Sequence, residues 1–299
     1  MDIDQFLQYL SYERNLSHLT VKAYGDDLKQ LVGFLTRGKE EFDAKSVTQA
    51  DLRAWMVDLS RQGDSPRSIR RKIQAVRAYY KWLLKRGVVE VSPAADLELA
   101  KVPKRLPQYV REASINAILD EPLADDADFE TVRNRLMVMM LYETGIRRAE
   151  LISLLDRNVD TSQRQMKVHG KRDKDRIVPF GEELKEAIEH YRMLRGEIVA
   201  DGTGELFVTA RGGRLYPSLV YGVIRDSLSE AGVSGKKSPH VLRHSFASAM
   251  LNDGAELNSV KELLGHESLA ATQVYTHITF SELKNNYKHA HPRALKKGG

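Results

Sequence analysis

The first hundred residues place apolar side chains three and four positions apart, the spacing of helices that bury one face. This pattern predicts amphipathic helical turns at the start of the chain and three longer helices over residues 17–35, 50–61 and 66–85. Thr48, with Asp51 three residues later, is a capping signal for the helix over 50–61. Ser65 followed by Pro66 opens the next one, because proline fits the first helical turn. The N-terminal region is therefore predicted to be helical throughout.

The helix over 66–85 separates apolar and cationic residues onto different faces. Its predicted apolar stripe consists of Ile69, Ile73, Val76, Tyr80, Leu83 and Leu84. The opposite face is cationic, and its members lie within a quarter turn of one another on a helical wheel: Arg67, Arg70, Arg77, Lys81 and Lys85. A run of charge is usually only a solvated face. Because no acidic residue interrupts this one, the pattern favours a surface that binds a phosphate backbone.

The helical pattern breaks at residues 102–107, where two prolines and two bases follow one another. Proline removes a backbone donor and biases the preceding residue towards extended geometry. We therefore expect a helical DNA-binding domain over 1–100, a linker over 101–109 and a second domain over 110–299. Lys104 and Arg105 would allow the linker to lie along DNA.

Beyond the linker, the spacing of apolar residues changes from helical to alternating and then back to helical. Helical spacing predicts helices over 112–119, 129–143, 182–194 and 216–231. Alternation predicts strands over 165–169 and 175–179, on either side of the turn-forming segment GKRDK. The expected fold class is mainly α with a small antiparallel β-sheet. Lys171 lies at the predicted turn, where a lysine usually only aids solubility, although a mobile one can also reach into a groove and deliver a proton.

Composition excludes several classes of protein. The 299 residues are enough for two domains, and 42% hydrophobic with 29% charged residues is ordinary for a soluble protein. There is no cysteine, which excludes disulfides, thiolate metal sites and a cysteine nucleophile. No apolar run approaches about 18 residues, and no basic segment followed by an apolar run opens the chain. We expect a soluble, cytoplasmic protein without a membrane partner. The net charge of +5 is small, so the placement of the charges matters more than their sum.

Candidate chemistry is concentrated in residues 238–277. His240 and Arg243 follow Pro239 and project from one helical face, where the planar guanidinium suits two phosphate oxygens. Tyr275 brings a phenol, which is normally a weak nucleophile because its pKa is about 10. Beside cations it could attack a phosphodiester and be held as a covalent ester. Taken singly, the His–Arg pair is also typical of a helix cap, His266 of a helix C-terminus, and Tyr275 of a core or surface aromatic residue.

A metal site is the less favoured interpretation of the same stretch. His240 and His244 have the spacing of zinc ligands on a helix. However, no glutamate lies between them to act as a base, and Arg243 would place a cation beside the metal. We therefore predict neither a metal nor another cofactor.

The segment TGIRRAEL offers a second phosphate site. Gly145 should end one helix, and Arg147 is expected in the first turn of the next, where free N–H groups favour anions. Glu150, one turn later, could hold the side chain of Arg147. The alternative is an ordinary surface ion pair, worth well under about 1 kcal/mol.

Taken together and in order, TGIR, GKRDK, HVLR, LLGH and VYTH resemble the motifs of the tyrosine recombinases, most closely the bacterial Xer type. The likeness spans almost the whole chain, and FLQYLSYERNLSHLTVKAYGDDL resembles the family's SAM-like core-binding domain. The resemblance implies a two-domain, C-shaped clamp with a catalytic domain second. It implies these catalytic residues: Tyr275 as nucleophile, Arg147, Lys171, His240, Arg243 and His266. Arg148 departs from the usual small or apolar residue; it lies about 100° from Arg147 on a helix, and the motif's spacing favours Arg147.

The resemblance also implies a mechanism without metal or ATP. Tyr275 would become joined to the 3′ side of the scissile phosphate, with a 5′ hydroxyl released. The two arginines and His266 would stabilise the phosphate oxygens, Lys171 would protonate the leaving oxygen, and His240 would assist removal of the phenol proton.

Partners follow from the same resemblance. Exchange of strands between two double-stranded DNA sites needs a homo- or hetero-tetramer, and the Xer type implies a paralogous recombinase, an FtsK-like septal DNA translocase and chromosome-dimer resolution at a dif-like site. Alternatives are an integrase or transposase of a mobile element, a type IB topoisomerase, or a non-catalytic DNA-binding clamp. The tail from about residue 280 would dock on a neighbouring subunit, although the residues alone equally favour folding back onto its own domain.

Overall fold

A computed structural model describes residues 2–36, 42–99, 109–124, 126–170, 174–199 and 204–265, together with Tyr287 and Ala290. The chain divides into two compact units, Met1–Arg105 and Leu106–Gly299. Each has its own buried apolar core.

The first unit is built from helices around one aromatic-rich core. They are α1 (Asp2–Gln8, continued by a π-helical turn over Tyr9–Glu13), α2 (His18–Thr36), α3 (Gln49–Arg61) and α4 (Pro66–Lys85). Both predicted helix starts are capped as expected. The Thr48 hydroxyl accepts a hydrogen bond from the backbone of Asp51, whose carboxylate accepts one from the backbone of Thr48 in return. The Ser65 hydroxyl accepts from the backbone N–H of Ser68 at 3.1 Å.

The buried face of α4 is displaced from the predicted stripe. Leu84 is exposed over 37% of its surface, whereas Tyr79 and Trp82 are buried. The reason is that α1 packs against the flank that carries these two rings. Phe6 lies with its ring centroid 5.4 Å from that of Tyr79 and 5.7 Å from that of Trp82. A neighbouring helix, rather than the periodicity of α4, therefore decides where its apolar stripe ends.

The second unit adds a small sheet to a set of helices. The helices are α5 (Glu112–Leu119), α6 (Phe129–Thr144), α7 (Arg148–Ile152), α8 (Glu182–Ile198), α9 (Pro217–Glu230), α10 (Pro239–Asn252) and α11 (Leu257–Leu264). The strands β1 (Val159–Asp160), β2 (Gln165–His169) and β3 (Asp175–Pro179) form an antiparallel sheet in that order. Lys167 pairs with Ile177 in the β2–β3 register. The predicted fold class, mainly α with a small antiparallel sheet, is confirmed, while the two-residue strand β1 is too short to leave an alternating pattern.

Helix α6 forms the centre of this unit and is buried on most of its circumference, as expected of a helix surrounded by others. It ends at Gly145, whose φ of +61° is the left-handed conformation that favours glycine. A Cβ atom at this position would lie 2.4 Å from Cδ1 of Phe246 and 2.9 Å from Cδ2 of Leu264. The end of α6 therefore lies directly against α10 and α11, and this close approach positions the residues discussed next. No helix in the described part of the chain is long and apolar enough to cross a membrane.

Candidate functional site

The start of α7 fixes Arg147. This residue is the N-cap of the helix, one position before the first turn in which it was expected. The carboxylate of Glu150 accepts the backbone N–H of Arg147 through Oε2 and the guanidinium Nη1 through Oε1, both at 2.7 Å. Glu150 is only 5% exposed. The pair is therefore a partly buried, doubly hydrogen-bonded arrangement rather than an ordinary surface ion pair.

Helix α10 presents His240 and Arg243 one turn apart. Arg243 is only 7% exposed, and its Nη1 donates to the carbonyl of Gly145 at 2.6 Å. Its Nη2 donates to the carbonyl of Leu264 at 2.5 Å. His240 lies in the first turn of the same helix and is exposed. Arg243 thus ties together the ends of α6 and α11, and burial of its charge is compensated by two carbonyl acceptors.

A third arginine, which belongs to none of the motifs read from the sequence, completes the site. Arg176 on β3 holds both carboxylate oxygens of Glu150, with its Nη1 2.9 Å from Oε1 and its Nη2 2.8 Å from Oε2. Its Nε donates to the carbonyl of Leu263 at 2.7 Å. A single arginine inside a short strand is no functional signal, and its partners lie 26 and 87 positions away in the chain.

The three guanidiniums converge on three consecutive carbonyls at the C-terminus of α11. Arg176 binds the carbonyl of Leu263, Arg243 that of Leu264, and Arg147 that of Gly265 at 3.0 Å. The last carbonyls of a helix have no partner within the helix and carry partial negative charge, so they attract cations. We refer to Arg147, Arg176 and Arg243 as the arginine cluster. Among the residues that the structure describes, one carboxylate, that of Glu150, forms ion pairs with the cluster, which leaves an excess of positive charge.

The protonation states reinforce this excess. Burial alone would raise the pKa of Glu150, but hydrogen bonds and charges from Arg176 and Arg147 outweigh it and lower the pKa below its usual range. Burial, and then the charge of Arg147, lower the pKa of Arg243 to about 9, which still leaves the guanidinium charged at neutral pH. Partial burial and the charges of Lys236, Arg148 and the nearby arginines lower the pKa of His240. The site therefore combines fixed cations with an imidazole that is neutral near pH 7, which suits a proton acceptor beside an anion.

The two candidate arginines of TGIRRAEL are distinguished by their contacts. The Nη1 of Arg148 donates to the carbonyl of Pro217 at the start of α9, at 3.3 Å. Arg147 instead joins the cluster. The structure therefore brings together Arg147 and Arg243, with His240 on the same helix as Arg243.

The remaining candidate catalytic residues, Lys171, His266 and Tyr275, lie outside the described residues. Two of these three residues directly follow a described residue in the chain. Gly170 precedes Lys171 and Gly265 precedes His266. For metal binding, the described residues contain no group of three or more His, Asp or Glu side chains arranged as ligands.

The candidate DNA-binding residues of α4 behave in two ways. Four of them are exposed: Arg67, Arg70, Lys81 and Lys85. Arg77 differs, because its Nε donates to the carbonyl of Ala94 at 2.9 Å and its Nη2 to that of Leu97 at 2.8 Å. Its guanidinium therefore holds the segment that follows α4 through hydrogen bonds. These bonds could not be predicted from the position of Arg77 on the cationic face. Lys104 and Arg105 lie outside the described residues.

Comparison with known proteins covers both units. Residues 108–282 match the model of the phage integrase family, and residues 3–87 match the phage integrase N-terminal SAM-like domain. The chain is 39% identical over 317 aligned residues to the tyrosine recombinase XerC of Chlorobaculum tepidum, covering 98% of this chain and 94% of that one. It is 33% identical over 302 residues to the tyrosine recombinase XerD of Halalkalibacterium halodurans, covering 98% of each. In fold it resembles the XerH site-specific recombinase bound to its difH substrate in a pre-cleavage complex, with a TM-score of 0.67 and 21% identity over 96% of this chain and 83% of that one.

Proposed function

This chain belongs to the phage integrase family of tyrosine recombinases, which cleave and rejoin DNA through a phosphotyrosine intermediate, and we propose that Tyr275 forms that intermediate at a phosphate held by Arg147 and Arg243. The observation that carries the proposal is the arginine cluster. Two of its guanidiniums bind adjacent backbone carbonyls, those of Leu264 and Gly265, on the segment that leads to His266 and Tyr275. Phosphoryl transfer depends on fixed positive charge placed where the equatorial phosphate oxygens gather charge, and the excess positive charge of the cluster supports this role.

The proposed chemistry proceeds by one exchange of ester bonds. The phenolic oxygen of Tyr275 attacks the scissile phosphorus, and a bond from that oxygen to the 3′ phosphate forms as the bond to the 5′ oxygen breaks. His240 accepts the phenol proton, a role for which its lowered pKa is suited because the imidazole is neutral before the reaction. Lys171 protonates the departing 5′ oxygen, and His266 donates a further hydrogen bond to the phosphate. A 5′ hydroxyl from another strand then reverses the attack, so ligation needs no external energy source.

The biological role that we propose is recombination of chromosomal dimers at a dif-like site. Relatives named XerC and XerD both align with nearly the whole chain, which supports action together with a paralogous recombinase. Double-stranded DNA is the substrate, four protomers assemble on two sites, and a septal DNA translocase of the FtsK type regulates them. The exposed cations of α4 and the linker residues Lys104 and Arg105 are proposed to contact the phosphate backbone.

A nicked suicide duplex carrying a candidate dif-like site tests the proposal. Cleavage beside the nick releases a short fragment, so the covalent protein–DNA adduct accumulates and is seen on a denaturing gel. The unmodified protein should form the adduct, and Tyr275→Phe should form none while still shifting the duplex on a native gel. An adduct that persists in Tyr275→Phe would remove Tyr275 from the proposed role. Comparison of dif-like sites with mobile-element ends distinguishes chromosomal from element-borne recombination.

A further inference from the structure

Arg176 binds parts of the second unit that are distant in the chain, and it is not among the residues proposed for the chemistry. We propose that Arg176 is a positioning residue, which neutralises Glu150 and thereby leaves the charge of Arg147 available to the scissile phosphate. This inference rests on the proposed function, because it concerns how Arg147 meets the phosphate.

The geometry of Arg176 is specific to a guanidinium. Its two terminal nitrogens take the two oxygens of Glu150 side by side, at 2.9 and 2.8 Å, while Nε reaches the carbonyl of Leu263 at 2.7 Å. The side chain is 12% exposed, so water screens this pair little. A lysine has one ammonium in place of the planar fork and cannot occupy all three acceptors in this arrangement.

The Arg176–Glu150 pair also lies next to two glycines that precede proposed catalytic residues. A Cβ atom at Gly265, where φ is +62°, would lie 3.3 Å from Cδ of Arg176. At Gly170 it would lie 3.7 Å from Nη1 of Arg176 and 3.9 Å from Oε1 of Glu150. The pair therefore supports the backbone from which the chain continues to Lys171 on one side and to His266 on the other.

Charge explains why this support matters for the reaction. Oε1 of Glu150 is shared by Nη1 of Arg147 and Nη1 of Arg176. With Arg176 in place, the carboxylate is neutralised by a cation that has no proposed contact with DNA. Without Arg176, the buried carboxylate would be paired with Arg147 alone and would compete with the phosphate for its charge. The cleavage rate lost with Arg176 should then be partly recovered when Glu150 is replaced by a neutral residue. If Arg176 were needed only for folding, removing the charge of Glu150 would not recover the rate.

The experiment measures single-turnover adduct formation on the suicide duplex at saturating protein, with noncovalent DNA affinity measured separately. Arg176→Met should slow adduct formation by about 10²-fold, because a displaced charge misaligns the reaction, while DNA affinity changes little. Adding Glu150→Gln to Arg176→Met should restore the rate by about tenfold, as expected for two side chains in direct contact. Arg176→Lys, which keeps the charge but loses the fork, should fall between the unmodified protein and Arg176→Met.

Arg192→Met is the matched control. Arg192 also pairs with a carboxylate, that of Asp156 at 2.9 Å, and with the carbonyl of Val159 at 2.9 Å, and neither partner is an acceptor of the arginine cluster. This variant should lose stability without losing cleavage rate once folded. Unaltered cleavage in Arg176→Met would overturn the inference, as would a double variant no faster than Arg176→Met. If Arg176→Met does not fold, an unaltered rate in Arg176→Lys overturns it equally. Failure of the unmodified protein to form any adduct would instead refute the proposed function.

Discussion

Replacement of Gly145 by alanine tests how the site is assembled. The residue combines a left-handed backbone, with φ at +61°, and contact with two helices that carry or flank the cluster. A methyl group there would lie 2.4 Å from Cδ1 of Phe246 and 2.9 Å from Cδ2 of Leu264, so these side chains must move. Gly232 has nearly the same backbone angle, +67°, but nothing lies within 4 Å of the position that a Cβ would take. Gly232→Ala is therefore a control for backbone strain alone.

The two substitutions should lower the free energy of unfolding by different amounts, because only Gly145→Ala adds a steric clash. The left-handed conformation costs an alanine about 1–2 kcal/mol, and this should be the whole effect of Gly232→Ala. Overpacking adds about 1–3 kcal/mol, so Gly145→Ala should lower the free energy of unfolding by about 2–5 kcal/mol in total. It should also slow cleavage, because the carbonyl of Gly145 holds Nη1 of Arg243 at 2.6 Å.

Denaturant unfolding can follow the two units separately. The chain has two tryptophans, Trp55 and Trp82, and both lie in the first unit, so tryptophan fluorescence reports that unit alone. Circular dichroism reports the helices of both units, so the second unit is followed by the part of the dichroism transition that tryptophan fluorescence does not share. Gly145→Ala should shift the dichroism transition and leave the fluorescence transition in place. Equal destabilisation by Gly145→Ala and Gly232→Ala would refute the close packing of α6 against α10 and α11.

Three further predictions address the site and α4. Arg243→Lys should reduce the rate of adduct formation by about 10²–10³-fold, as for loss of one preorganised donor, while native-gel DNA binding persists; an undiminished rate would separate Arg243 from the chemistry. Lys81→Ala should lower the slope of log affinity against log salt concentration by about 1, as for one lost phosphate contact, without changing stability. Arg77→Ala should instead lower the free energy of unfolding of the first unit, followed by fluorescence, by about 1–3 kcal/mol. The reverse pattern would contradict the contacts of Arg77. Because the pKa of His240 is lowered, the native protein keeps this imidazole neutral below pH 6.5, so cleavage should persist until the pH falls to that lowered pKa. The unfolded chain takes up the proton at the ordinary value of 6.5, so stability should fall as the pH drops from 6.5 to the lowered pKa. An NMR titration assigned with His240→Gln checks this, and a midpoint above 6.5 would contradict it.

Local signals in the sequence were sufficient for most of the secondary structure. The strands over 165–169 and 175–179 have the predicted bounds, because alternation is clear and a turn-forming segment separates them. The caps at Thr48 and Ser65 depend on residues three positions away and were equally predictable. Arg147 and Arg243 were proposed as site residues from their motifs, and the sequence could not indicate that they would bind neighbouring carbonyls.

Features that depend on distant parts of the chain could not be predicted in this way. Arg176 became visible only when the fold brought Glu150 and Leu263 to it. The hydrogen bonds of Arg77 could not be predicted either, because its carbonyl partners follow α4 in an irregular segment. The exposure of Leu84 depended on where α1 packs, which the periodicity of α4 does not contain.

The most direct test is the identity of the residue joined to DNA. The adduct trapped on the suicide duplex can be digested with protease and nuclease and its peptides sequenced by mass spectrometry. We predict a single modified peptide with a nucleotide 3′ phosphate on the oxygen of Tyr275. Attachment at any other residue, or a 5′ rather than a 3′ phosphate linkage, would contradict the account.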